Sequence, residues 1–142
     1  AREAFEARSL IEVHCAGLAA VHAGIQEIAA IRATLDAGEQ AVADNDAAAL
    51  AAMDEAFHVA VAAASGNRTL AKMVVTLHHQ TARYWLYAMR APSDAESHAA
   101  LAEHRALCDA LMSRDPERAR AVMTRVLGDF PSEMKRTLES GR

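Results

Sequence analysis

The stretch Leu50–Asn67, which reads LAAMDEAFHVAVAAASGN, decides the fold of this chain. Its larger apolar residues recur every three or four positions, the spacing that places side chains on one face of an α-helix. Asp54 and His58 fall on the same stripe, one helical turn apart. Burying an unpaired charge costs several kcal/mol, so each of these two groups needs a partner: the other one, a cation or a ligand. The apolar members of the stripe are Leu50, Met53, Phe57, Val61 and Ala64.

The composition predicts that the rest of the chain is helical as well. The 142 residues favour one domain that is large enough for a real core. Hydrophobic residues make up 52% of the chain and aromatic residues only 4%, and much of the hydrophobic share is alanine, the best helix former. No stretch alternates as a half-buried strand would. The sequence therefore predicts an all-α bundle.

Turn and capping residues divide the chain into six predicted helices. Gly24 is expected to break the first helix from the second, and Gly66 is expected to end the third in a left-handed conformation. Asp115 and Pro116 read as the cap and first residue of the last helix. The six helices are predicted over about 2–22, 25–42, from a cap at Asn45 or Asp46 to about 65, 68–89, 94–113 and from 116 onward.

The periodicity also predicts which apolar side chains face the core. On the first two helices the expected stripes include Val21 and Ile25, and on the fourth they include Met73. On the fifth helix, His104 lies on a stripe that is otherwise apolar, so it is a third polar group on a predicted core face. The other members of that stripe are Leu101, Leu107, Cys108 and Leu111.

Charge and cysteine content exclude several classes of function. Fifteen basic and nineteen acidic residues give a net charge of −4, which does not suit a surface that binds nucleic acid by itself. No apolar run approaches the roughly 20 residues that span a bilayer, and no signal peptide is visible. Cys15 and Cys108 are isolated and suit buried thiols in a reducing cytoplasm. Because the chain starts at Ala1 without a methionine, we expect it to be part of a longer protein with a domain upstream.

Two imidazoles and one carboxylate on core faces suit a divalent metal ion. Asp54, His58 and His104 are ligands of the right type, and the first two lie on adjacent turns. The alternative is internal: Asp54 pairs with His58 as a buried hydrogen bond, and His104 meets a backbone carbonyl. The residues alone leave both interpretations open.

The sequence gives no positive evidence for catalysis. Glu55-x-x-His58 occurs once, whereas di-iron bundles need that motif twice. Nucleophile elbows, phosphate-binding loops and the zinc-protease motif are missing from the sequence. Arg8 and Glu12, four residues apart, are expected to form a surface ion pair. The alternative is an arginine that turns inward to meet an anionic ligand.

The block Asp54–Asn67 resembles the C-terminal effector-binding domain, the FCD domain, of FadR-type regulators in the GntR transcription-factor family. Asp54-x-x-Phe57-His58 followed by Ala64-Ser65-Gly66-Asn67 carries the resemblance. Supporting pieces follow in the same order and spacing, so that the resemblance covers nearly the whole chain. They are Arg8-x-x-x-Glu12, Leu18-Ala19-Ala20, Glu103-His104 with Ala110 and Asp115, and Ala119 with Met123.

The resemblance implies an antiparallel bundle of six to seven helices, like the FadR C-terminal domain, that senses a small molecule. Residues 1–142 would form one effector-binding and dimerisation domain of a cytoplasmic homodimer. A winged-helix DNA-binding domain would precede it, and DNA would be a partner only through that domain. No membrane or enzymatic role is implied. The alternatives are a metal-dependent enzyme on a helical bundle and a structural dimerisation module without a ligand.

The resemblance also implies a metal ion of the Zn, Ni or Mn type, and the matching ligands are Asp54, His58 and His104. The family pattern has a further histidine on the last helix, at the position of Val126. Valine cannot ligate, so three outcomes remain open. The metal is held by three side chains with water or effector, or His78 replaces the lost ligand, or no metal binds and the three groups contact an organic ligand.

The expected effector is a small organic acid, because carboxylates suit both a metal ion and cationic side chains. Polar groups from several predicted helices converge on the bundle interior. The side chains expected to contact the effector are Arg8, His78, Arg83 and Tyr84.

Overall fold

Helices account for nearly all of the chain that the structure describes. The structure is a computed structural model and describes residues 2–88 and 94–128, without the side chains of 84–88 and 94–95. Within these residues there are six α-helices and no strand, which confirms the predicted all-α fold. The predicted helix end at Met89 and the turn at Pro92 lie outside the described residues. The helices are α1 (Arg2–His22), α2 (Ile25–Ala43), α3 (Ala47–Ala64), α4 (Arg68–Ala88), α5 (Asp94–Met112) and α6 (Pro116–Gly128).

Three turns between helices share one design, in which a left-handed residue is followed by a side chain that caps the next helix. Asn45, Gly66 and Arg114 have φ angles of 51°, 78° and 55°. The residue after each accepts a hydrogen bond from a backbone N–H of the following first turn, at 3.0 Å in each case. These short turns make α2 and α3, α3 and α4, and α5 and α6 antiparallel neighbours. The caps are Asp46 for α3, Asn67 for α4 and Asp115 for α6.

The first helix lies at the centre of the bundle, in contact with α3, α4, α5 and α6. Small residues on its inner face, Ala16, Ala19 and Ala20, are fully buried and let the neighbouring helices approach closely. The large side chains of the core come mainly from α2, α3 and α5. Leu35, Phe57 and Leu107 are among those with no exposed surface.

Among the described side chains, the predicted core faces are wrong at three positions. Val21, Ile25 and Met73 are exposed by 59%, 81% and 45%. The first two flank the break at Gly24, where the chain changes direction and helical spacing no longer predicts which side is covered. On α4 the buried stripe instead follows Val74, His78 and Thr81.

In the described part of the chain, α3 alone is long and apolar enough by composition to cross a membrane, which corrects the expectation that no run approaches that length. It packs against α1, α2 and α4 and carries the buried groups Asp54 and His58. Its apolar character is therefore explained by its place in the bundle.

The turn between α3 and α4 requires glycine for a conformational reason. We expect Gly66→Ala to lower the free energy of unfolding by about 1 kcal/mol, because a Cβ atom disfavours the left-handed region. Steric overlap does not contribute, since the added Cβ would lie 3.7 Å from the Cβ of His22, an ordinary contact. Urea denaturation followed by circular dichroism measures the change.

Gly128→Ala is the matched control, because the same methyl group enters open space at an exposed end of α6. We expect no loss of stability there, since alanine is the better helix former. Equal stabilities for the two variants would contradict the role given to Gly66.

Candidate functional site

Helices α3 and α5 bring Asp54, His58 and His104 together in the interior. All three side chains are buried, and each offers one ligand atom within 4.8 Å of the others. His58 Nε2 lies 3.2 Å from Asp54 Oδ1, and His104 Nε2 lies 3.3 Å from the same oxygen. Two imidazole nitrogens from different helices thus face one carboxylate oxygen.

The remaining ring nitrogens determine how the two imidazoles are oriented. His104 Nδ1 is 2.6 Å from the carbonyl oxygen of Ala100, which can only accept, so Nδ1 carries a proton. His58 Nδ1 is 2.7 Å from Glu12 Oε1, an ion-pair contact that departs from the angle of a straight hydrogen bond. An ionised carboxylate also only accepts, so this Nδ1 carries a proton as well. Each ring thus directs Nδ1 away from Asp54 and Nε2 towards it.

The distances around Asp54 suit a divalent cation. Charge-assisted N–H···O bonds are typically about 2.7–2.9 Å long, whereas two ligands of a tetrahedral ion with bonds of about 2.1 Å lie about 3.4 Å apart. The observed 3.2 and 3.3 Å are compatible with neighbouring ligands of one ion, and the longer contact also meets the distance of a hydrogen bond. The contacts of the internal alternative, Asp54 with His58 and His104 with a carbonyl, are present too. His104 Nε2 also lies within hydrogen-bond distance of Asp54 Oδ1, so its approach fits either interpretation.

Burial and charge act against each other on the ionisable groups of this site. Burial alone would lower the pKa of His58, but the carboxylates of Glu12 and Asp54 outweigh it and raise that pKa to about 9. Burial likewise opposes ionisation of Asp54, yet His58 and His104 hold the Asp54 pKa well below its usual value. Without a metal ion, the site is therefore a cationic imidazole between two carboxylates at neutral pH.

Arg8 and Glu12 lie in the interior, so the prediction of a surface ion pair is wrong. Their side chains are 2% and 1% exposed, and Arg8 Nε donates to Glu12 Oε2 at 2.5 Å. Arg8 Nη1 also donates to Thr81 Oγ1 of α4 at 3.3 Å. The reason is the central place of α1: Arg8 and Glu12 are in helical register with the buried Phe5 and Cys15.

His78 is the second group of α4 in this interior. Its side chain is buried, its ring centre is 6.1 Å from that of His58, and its Nδ1 has no hydrogen-bond partner among the described residues. Burial first, and then the positive charge of Arg8, lower the pKa of His78. A neutral imidazole whose Nδ1 has no partner within the described part of the chain thus lies beside the Asp54 cluster.

Two of the remaining residues singled out in the sequence, Val126 and Glu55, do not join this cluster. Arg83 has an exposed side chain, and Tyr84 lies outside the described side chains. Val126 is partly buried and packs against the apolar core. Glu55 lies 3.1 Å from the exposed His79 and faces away, as helical spacing predicts.

Glu12 is the site residue that sequence reasoning missed. The spacing of Glu12 from Arg8 predicts an ion pair, but an Arg-Glu pair at i,i+4 is usually solvated. The sequence offers one signal, the helical spacing that places Glu12 on the same face of α1 as the apolar residues Phe5, Cys15 and Ala19. That face is entirely buried.

Comparisons with known proteins agree with the helical architecture. The family model described as the FCD domain matches residues 3–129. Among solved structures, E. coli McbR/YncC superimposes with a TM-score of 0.87 at 20% sequence identity, over 96% of this chain and 65% of that chain. This chain thus spans just under two thirds of the length of that protein, and at this identity the likeness carries the fold alone. No curated protein has significant similarity to the sequence.

The buried position of Arg8 predicts a large effect of its removal on stability. Arg8→Met is expected to lower the free energy of unfolding by about 3 kcal/mol, because Glu12 then keeps a buried charge without its arginine partner. Urea denaturation at neutral pH measures the loss.

Arg2→Met provides the control, since Arg2 and Glu6 form an i,i+4 pair of the same helix with side chains that are 90% and 70% exposed. We expect a change within about 0.5 kcal/mol for that variant. A small loss for both variants would mean that the Arg8 pair is solvated in solution.

Proposed function

Since this chain belongs to the FCD domain family, the regulatory domains of GntR-family transcription factors, we propose that it senses a small organic acid. The family match confirms the resemblance that the block Asp54–Asn67 indicates. The observation that carries the proposal is the convergence of two imidazoles on Asp54 beside two further buried polar side chains, Arg8 and His78.

We propose that Asp54, His58 and His104 hold a divalent metal ion. Imidazole and carboxylate ligands suit Zn²⁺, Ni²⁺ and Mn²⁺. With Val126 at the position of a further histidine, the protein supplies three ligands, and three-ligand sites keep a position open. A bound ion would offer that position to an oxygen atom of a carboxylate.

The charges of the buried groups favour an anionic effector. Arg8 contributes one positive charge, and Glu12 and Asp54 contribute two negative charges. A divalent ion with neutral histidine ligands would leave the interior with one net positive charge. Because isolated buried charges are costly, this excess favours a monoanion such as a carboxylate.

Arg8 and His78 are the side chains that we propose to contact the effector. His78 Nδ1 has no hydrogen-bond partner among the side chains that the structure describes, and a buried ligand would supply one. Arg8 adds a guanidinium group with the geometry that carboxylates prefer. The exposed position of Arg83 gives no support for the same role.

In the complete regulator, effector binding would alter DNA affinity through an upstream winged-helix domain of a cytoplasmic homodimer. An effector does so only as far as it binds one conformation better than another. The first helix is the proposed route, because it carries Arg8 and contacts four other helices.

The two alternative functions receive less support. A metal-dependent enzyme would need an available base near the ion, but Glu55 pairs with His79 at the surface and Glu12 is engaged by Arg8 and His58. A purely structural module would have its interior polar groups satisfied internally, whereas His78 Nδ1 has no partner among the described residues.

Metal binding is tested by titrating Zn²⁺ against a chromophoric chelator. We expect His104→Ala to weaken Zn²⁺ binding by at least about 100-fold, since one of three ligands is lost. His79→Ala is the control, because His79 is an exposed histidine that faces away from the site. Equal affinities in the wild type and both variants would remove His104 from the proposed site.

Effector binding is tested by calorimetry of the Zn²⁺-loaded protein with a panel of small monocarboxylates and their uncharged amides. We expect binding of at least one acid but not of its amide, and a loss of at least about 10-fold in His78→Leu, which removes one buried hydrogen bond to a charged group. Zn²⁺ affinity of that variant should stay at the wild-type value. Binding of acid and amide with equal affinity would contradict the charge argument.

A further inference from the structure

Glu12 reaches from α1 to the outer edge of the His58 ring. Its Oε1 lies 2.7 Å from His58 Nδ1, on the side opposite to the Nε2 atom that faces Asp54. Neither Glu12 Oε1 nor His58 Nδ1 has a hydrogen-bond partner of good geometry among the described residues, so this ion-pair contact is what each of them has. Each of these two buried atoms therefore depends on the other for its electrostatic partner.

This contact selects one tautomer of His58. A carboxylate beside Nδ1 requires the proton there, which leaves the lone pair of the neutral ring on Nε2. In metal sites, a carboxylate on the far ring nitrogen orients the imidazole and makes it a more basic ligand. His104 receives the equivalent support from the carbonyl oxygen of Ala100.

Glu12 is itself fixed in place by its other oxygen. Oε2 accepts from Arg8 Nε, and Arg8 also donates to Thr81 of α4. Rotation of the Glu12 carboxylate away from His58 would break the contact with Arg8 at the same time. The carboxylate therefore has one orientation, which is the condition for positioning a neighbouring ring.

We propose that Glu12 is a positioning residue for the metal-binding histidine His58, so that α1 is part of the ion site without supplying a ligand. The inference rests on the proposed metal function and adds a residue that the ligand pattern does not include. It makes metal affinity depend on a carboxylate of the first helix.

Zn²⁺ affinity of Glu12→Gln tests the inference, measured by competition with a chromophoric chelator. We expect a 10- to 100-fold weaker affinity, the usual effect of removing such a carboxylate. Glu55→Gln is the matched control: it makes the same change next to Asp54 in sequence, but its carboxylate pairs with His79 outside the site. Its affinity should equal that of the wild type.

A readout that does not depend on any variant is the ¹⁵N spectrum of the His58 ring in the Zn²⁺-loaded wild type. We expect Nε2 to be the metal-bound nitrogen and Nδ1 to be protonated. Metal binding through Nδ1 would overturn the inference, because Glu12 then has no proton to accept.

The double variant Arg8→Met/Glu12→Leu guards against a folding defect, because replacing both members of a buried ion pair by apolar groups is often tolerated. It should lose Zn²⁺ affinity to the same extent as Glu12→Gln. Wild-type affinity in both variants would overturn the inference and leave the metal proposal intact. Failure of the wild type to bind Zn²⁺ would overturn both.

Discussion

The buried contact between Asp54 and two imidazoles is the constraint on which the rest of the structure depends. A carboxylate with almost no exposed surface needs positive charge within a few ångströms, and here the charge must come from His58, His104 or an ion between them. The imidazoles in turn need acceptors for their outer nitrogens, which Glu12 and the Ala100 carbonyl supply. The buried carboxylate of Asp54 thus explains why polar side chains of α1, α3 and α5 lie in the interior.

The need of each buried charge for a partner of opposite charge explains why the first helix lies in the interior. Glu12 must enter the interior to reach His58, and Arg8 must follow to balance Glu12. Such a polar stripe can be buried only if α1 is surrounded, and its small residues Ala16, Ala19 and Ala20 allow that close approach. The burial of the charged side chains of α1 and its close packing by neighbouring helices therefore depend on each other.

Local rules predicted the helices and turns well because those features depend on neighbours in sequence. Gly66 and the capping residues Asp46 and Asp115 act within four residues of their own positions. The orientation of α1 depends instead on which helices surround it, and no local pattern contains that information. An Arg-Glu pair at i,i+4 has the same spacing on a surface and in a core, so the sequence leaves the inward orientation of Arg8 only as the alternative to a surface pair.

The candidate site also combines features that depend on sequence neighbours with features that depend on how the helices pack. Asp54 and His58 could be paired from the sequence because they lie on adjacent turns of α3, and the stripe of α5 placed His104 in the core. Their approach across two helices is a tertiary fact, as is the contact of Glu12 with His58. His78 lies on the buried face of α4, because α4 packs against both α1 and α3.

The valine at position 126 changes how the proposed site would communicate with the rest of the bundle. A histidine there would tie α6 to the ion by a directed bond, whereas Val126 joins α6 to the interior only by apolar packing, which is non-directional. The polar contacts around Asp54 and His58 lead instead to α1 through Glu12 and to α4 through Arg8 and Thr81. In the proposed sensor, a ligand that shifts these groups would therefore act first on α1 and α4, with α6 following as part of the packed core.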